Sequence, residues 1–135
     1  MAATMHAELL TPERSLFSGD VTYVMARTGD GDIAFLANHA PFIGTLEICV
    51  VKIERPGEAD LFAAVHGGFV HVAKNRVTLL ADVAELANEI DVARARLAME
   101  RAEQVLAHAT DTSVEAALRR AHVRLAVSET FPRHS

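Results

Sequence analysis

Four arginines stand at helical spacing in the last third of the chain. Arg94 and Arg101 are seven residues apart and so share one face of a helix, while Arg120 and Arg124, four apart, share a face of a second. Folding two such helices together would gather four guanidinium groups. Guanidinium forks match phosphate oxygens two at a time, so one use of the cluster is an anion pocket. The other reading is a solvated surface on which the arginines pair with Glu103, Glu115 and their neighbours, and spacing alone favours it.

The remaining reactive residues make no catalytic constellation. His6, His39, His66, His71, His108, His122 and His134 include no pair at the four-residue spacing of a helical zinc motif, and one cysteine cannot build a thiolate site. His66 and His71 fall in neighbouring strand segments and could share a metal, but two ordinary strand histidines are the stronger reading. Cys49 lies in the apolar run Ile48 to Val51, a setting that raises a thiol pKa and suits a buried small hydrophobe better than a nucleophile. Gly29-Asp30-Gly31-Asp32 has the glycines of a phosphate loop and the acids of a calcium loop. No helix follows it to hold a phosphate, and the calcium spacing is missing, so it reads as a hairpin turn.

Two kinds of element must position these residues within 135 residues, one domain's worth of chain with half its residues apolar. Up to about Glu85 the pattern alternates with period two in short pieces: His6 to Leu10, Val21 to Arg27, Asp32 to Leu36, Thr45 to Ile53, Asp60 to His66, Gly68 to Ala73 and Arg76 to Ala81. Turn residues separate them, among them Ser18-Gly19, Pro56-Gly57, Gly67-Gly68 and Lys74-Asn75. No helix-length crossover intervenes, so the strands belong to a sandwich or flattened barrel. From Asn88 onward there is no glycine and alanine dominates, which predicts helices. Asn88 is placed to cap the first, from about Ile90 to Ala107, with Asp91 in the capping-box position. Thr112 or Ser113 can cap the second, which runs to about Val127, and Phe131 to Ser135 read as a frayed tail.

The apolar stripes Ala95, Ala98, Ala102, Val105, Ala109 and Val114, Leu118, Ala121, Leu125 predict an antiparallel hairpin with a small seam. Alanine buries little area, so such a hairpin should be able to leave its dock. Residues 1–87 form one expected domain and residues 88–135 the other, and the first carries all of the net charge of −5. That sign gives nucleic acid no electrostatic attraction. The longest apolar stretches, such as Leu61 to Val65, fall far short of the ~20 residues needed to cross a bilayer, so no membrane insertion is expected. The lone cysteine and the plain segment Met1 to His6 point to a cytoplasmic protein.

Three stretches carry a resemblance that covers nearly the whole chain in order. Leu10-Thr-Pro-Glu-Arg-Ser-Leu-Phe-Ser-Gly19, Gly31-Asp-Ile-Ala-Phe-Leu-Ala-Asn-His-Ala-Pro41 and Ala64-Val-His-Gly-Gly-Phe-Val-His-Val72 resemble the signature stretches of the ATP synthase epsilon subunit family. Ala34 stands where that family usually has glycine, and Ala37 where it often has proline. The resemblance implies an N-terminal antiparallel β-sandwich of about ten strands and a C-terminal two-helix hairpin. It also implies a non-catalytic place in the central stalk of a proton-translocating F-type ATP synthase, peripheral at the cytoplasmic face of the cell membrane. The implied partners are the gamma subunit, the c-subunit ring and the alpha and beta catalytic subunits, the hairpin folding on the sandwich or extending to block ATP hydrolysis.

Ile90-Asp-Val-Ala-Arg-Ala95 resembles the motif of epsilon subunits that bind ATP. Carried over, the nucleotide contacts fall on Glu85, Asp91, Arg94, Arg101, Arg120 and Arg124, and the partner-contact loop on Asn38, His39, Ala40 and Pro41. The implied ligand is ATP in a regulatory role, with no resident cofactor and no metal. That reverses the preference on the arginines, since cations gathered by folding repel unless an anion joins them. Two rivals remain: a small-molecule-binding β domain or enzyme of another type, and a stalk subunit whose hairpin is purely structural.

Overall fold

The computed structural model describes residues 3–130. Eight strands, β1 (Met5–Leu10), β2 (Ser15–Val21), β3 (Tyr23–Thr28), β4 (Gly31–Phe35), β5 (Phe42–Glu54), β6 (Leu61–Ala73), β7 (Arg76–Ala81) and β8 (Ala84–Leu86), precede a 3-10 turn at Ala87–Glu89. Helices α1 (Val92–Leu106) and α2 (Thr112–Ser128) follow. The strands make a sandwich and the helices a hairpin, as the sequence predicts. The expected tail at Phe131 to Ser135 lies outside the described residues.

Alternation explains the sandwich. In β1, Met5, Ala7 and Leu9 are buried and His6, Glu8 and Leu10 face outward. Equivalent positions Val21, Val24, Phe35, Val51, Ile53, Val70, Val72, Val77 and Leu79 close one core between the layers. Strands β5 and β6, thirteen residues each, pair along most of their length and serve both layers. The first part of β6 holds β8 at Ala63–Val65, and its second part holds β7 from Gly68 to Ala73. Counted once per layer, the two long strands bring eight strands to the ten positions the resemblance implies.

The crossing between layers falls at Gly67 and Gly68, with φ of 85° and 136°. A Cβ on Gly68 would lie 2.1 Å from the Leu80 carbonyl oxygen, so only glycine lets β6 bend against β7 here. The pair that reads as a turn is thus a bend inside one strand, which merges two predicted segments. Two other strands were not expected. β2 runs through Ser18-Gly19, paired with Glu8 and Ala7, and three-residue β8 is too short to show a period. One ladder is parallel, β1 with β7, in a sandwich expected to be antiparallel throughout. These strands are joined through the rest of the sandwich rather than by a hairpin, so the connection does not dictate their direction.

The helix caps differ from those expected. Asp91, not Asn88, caps α1 by accepting the Arg94 amide, because Ala87–Glu89 are taken up in the 3-10 turn. Asp111, one residue before the predicted Thr112 or Ser113, caps α2 by accepting the amides of Ser113 and Val114. Ala95, Ala102 and Ala121 are buried in the seam, but Val105, assigned to it by spacing, is 46% exposed. Helix α2 lies on β5 and β6, and α1 packs against α2. Val127, Ile90 and Ala64 form a second small core there, flanked by Val50, Phe62, Ala87 and Val123.

Candidate functional site

Where the hairpin meets the sandwich a cleft of about 340 Å³ opens. Sandwich strand β8 supplies Glu85, the cap of α1 supplies Asp91, the first turn of α1 supplies Arg94, and α2 supplies Arg120 and Arg124. Ala95, Ala98 and Ala117 line it with side chains too small to fill it. Five of the six residues carried over from the sequence are therefore brought together. Arg101 is not among the lining: seven residues beyond Arg94, it sits about 10 Å farther along the helix axis at 1.5 Å per residue. The cluster is three guanidinium groups, not four.

Its charges are unequally satisfied. Arg124 Nε donates to Glu85 Oε1 at 2.6 Å, and the 3-10 turn adds Glu89, which is held by Arg14 from the β1–β2 loop at 2.7 Å. The Arg14 hydrogen bond holds the Glu89 carboxyl below its usual range, with help from the Leu86 amide. The Asp91 carboxylate caps α1 at 3.0 Å from the Arg94 amide. Among the described residues Arg94 and Arg120 make no ion pair, so two guanidinium groups face the cleft with donors to spare. An alanine-lined cleft with uncommitted guanidinium forks suits a polyanion.

Sequence reasoning missed one member of this network. His66 Nε2 donates to the same Glu85 oxygen that Arg124 engages, at 3.1 Å, and the His66 side chain is 4% exposed. Burial, and then the Arg124 cation, push the His66 pKa down, against the pull of Glu85. The available signal was the period-two run Phe62, Ala64, His66, which turns His66 toward the side that α2 covers. His71, by contrast, is exposed on the far side of the glycine bend, so the two histidines do not share a metal, and no cluster able to hold one occurs among the described residues.

The expected partner loop is built as a fixed turn between β4 and β5. Asn38 takes φ 63° and donates its amide to Asn75 Oδ1 at 2.7 Å, while the His39 ring meets Phe35 edge-on at 5.1 Å and bonds the Ala40 carbonyl through Nδ1. Asn75 also donates to the Thr4 carbonyl, tying loop, β6–β7 turn and chain start together. Beside Pro41 the outer sheet face leaves Ile43 73% and Phe69 57% exposed, with Leu36 and Leu80 half in solvent. Cys49 is buried with its thiol pKa pushed up by burial, and Gly29-Asp30 form a two-residue hairpin turn, both as expected.

The comparisons agree with this architecture. Residues 4–87 match the family model described as the beta-sandwich domain of the ATP synthase delta/epsilon chain, and residues 88–129 match its long alpha-helix domain. The ATP synthase epsilon chain of Streptomyces griseus is 46% identical over 125 residues, which span 93% of this chain and 95% of that one. That of Halalkalibacterium halodurans is 40% identical over 130 residues, 93% of this chain and 97% of that one. A chain in the mitochondrial ATP synthase of Euglena gracilis, solved as OSCP, F1 and c-ring, has the same fold, with a TM-score of 0.71 at 23% identity over 96% of this chain and 79% of that one. With the sandwich and the helical segment both matched, the chain belongs to the ATP synthase delta/epsilon family.

Proposed function

We propose that this chain is a non-catalytic central-stalk subunit of a proton-translocating F-type ATP synthase, and that its hairpin is an ATP-responsive brake on hydrolysis. The observation that carries the nucleotide part is the cleft in which Glu85, Asp91, Arg94, Arg120 and Arg124 converge from three separate elements. Such a cleft exists only while the hairpin is docked. A polyanion that bridges Arg94 and Arg120 therefore binds the docked form better than an extended one and shifts the population toward it. The small alanine seam and the few residues of the second core make the dock weak enough to be shifted.

The stalk part rests on family membership together with the fixed Asn38–Pro41 loop and the exposed apolar face at Ile43, Phe69 and Leu80. That face fits a permanent protein partner, in the expected assembly the gamma subunit, with the c ring and the alpha and beta subunits within the same complex. The family resemblance implies that such a subunit sits at the cytoplasmic face of the membrane, and no described helix is long and apolar enough to cross one.

One observation favours the rival in which the hairpin is purely structural: Arg124 already has its carboxylate in Glu85. Calorimetry of the full chain with ATP separates the two. Saturable binding that weakens at least about tenfold in Arg94→Ala and in Arg120→Ala supports the brake. Absence of heat up to millimolar ATP overturns it and leaves a structural hairpin. In the assembled complex, deletion of residues 88–135 should raise ATP hydrolysis while assembly persists.

A further inference from the structure

One carboxylate oxygen joins the two halves of the molecule. Glu85 Oε1 accepts from Arg124 of α2 at 2.6 Å and from His66 of β6 at 3.1 Å. Since the carboxylate accepts, Nε2 of His66 carries the hydrogen and Nδ1 is the bare nitrogen of a neutral ring. That Nδ1 is buried with no partner among the described residues. His66 shares its side of β6 with Ala64, which packs under Val127 and Ile90, so the hairpin is what covers the ring.

We propose that His66 is a positioning residue that holds Glu85 for Arg124 while neutral, and that uptake of a proton at its Nδ1 undocks the hairpin. The inference builds on the mobile hairpin of the proposed function and adds a second input to the same site. The groups that act on His66 are Glu85 from β8 and Arg124 and Arg120 from α2, while β5 places Ile48 opposite it. With the ring cationic, one carboxylate faces His66 and Arg124 at once, with Arg120 nearby, and the new N–H points at no acceptor. Undocking removes both arginines and rehydrates the ring while Glu85 stays on its own strand. A proton therefore prefers the undocked form.

The sign follows from the depressed pKa. Burial first, and Arg124 second, keep the docked ring below the ordinary imidazole value of 6.5. The docked state is at full strength above that value, and it loses population as pH falls through the ordinary value toward the lower, docked one. The slope approaches about tenfold in the docking equilibrium per pH unit within that window.

The test uses the full chain without nucleotide. Docking is read from the methyl cross-relaxation between Val127 and Ala64 in NMR spectra, from about pH 8 to about pH 5. The expected result is a docked fraction that falls on acidification in the wild type and is flat in His66→Gln, which keeps an N–H donor for Glu85 but does not titrate. In Arg124→Gln the His66 ring itself, followed by its own carbon shifts, should titrate closer to 6.5 than in the wild type. A flat wild-type profile, a His66→Gln profile as steep as the wild type, or an unmoved His66 midpoint in Arg124→Gln overturns the proposal. Because ATP is absent, these outcomes stand apart from the nucleotide reading: a flat profile beside saturable ATP binding refutes the proton input alone.

Discussion

Replacing Val127 by alanine should release the hairpin and leave the sandwich intact. Val127 is fully buried, but its neighbours are Ala64 and Ile90 with Val50, Phe62, Ala87 and Val123 around them, a set separate from the sandwich core. The change removes the equivalent of two methylenes, ~0.8 kcal/mol each, and leaves a cavity, for a total of roughly 2–3 kcal/mol. Confined to docking, that is a shift of roughly 30- to 150-fold in the docking equilibrium. Amide hydrogen exchange read by mass spectrometry should show α2 losing protection by that factor while the amides of β6 and β7 keep theirs. Thermal melting of the sandwich should move little. Equal loss of protection in β7 and α2 would refute the reasoning, because it would mean that the molecule opens as one cooperative unit. Unchanged protection in α2 would refute it from the other side.

Gly68→Ala acts on the opposite half: with φ 136° and a Cβ 2.1 Å from the Leu80 oxygen, it should lower the sandwich Tm by at least about 10 °C. Gly67→Ala, whose closest contact is the Asp82 carboxylate at 3.2 Å, should cost less in the same melt. The Arg14–Glu89 pair adds an acid limb to hairpin docking. The Glu89 pKa is depressed from 4.5 in the folded form, so the pair's contribution is complete above that value and lost as pH falls through the lower one. Arg14→Ala should remove that limb from a hydrogen-exchange pH series. If ATP occupies the cleft, Arg120→Ala should weaken it at least about tenfold in calorimetry, whereas Arg101→Ala, off the cleft, should stay within about twofold.

Legibility in the sequence followed the range of the interactions. Strands with strong alternation, such as β1 and β7, and the two alanine-rich helices follow from local pattern, because local burial decides them. β8 and the run of β2 through Ser18-Gly19 do not: β8 is made by pairing with β6 rather than by its own three residues, and β2 is made by a hairpin with its neighbour β1 that runs straight across residues of turn type. The cap of α1 moved because the 3-10 turn at Ala87–Glu89 uses up residues a propensity rule would give to the helix, and that of α2 moved because the Asp111 carboxylate reaches the Ser113 and Val114 amides. Within the site, spacing put Arg120 and Arg124 on one face, but it could not tell how far along its partner each arginine would lie, and Arg101 fell outside. His66 was invisible as a participant because its partner, Glu85, is nineteen residues away on another strand and its cover, α2, is farther still.

The two thirteen-residue strands have a mechanical consequence. In most sandwiches the layers grip each other through side chains alone, so a shear across them meets only apolar contacts that can slide. Here β5 and β6 carry unbroken backbone from one layer into the other, paired with each other on both sides of the bend. A twisting load applied at the Ile43–Phe69 face would reach the surface under α2 as tension in covalent chain, which makes this small body a stiff lever rather than a compliant cushion.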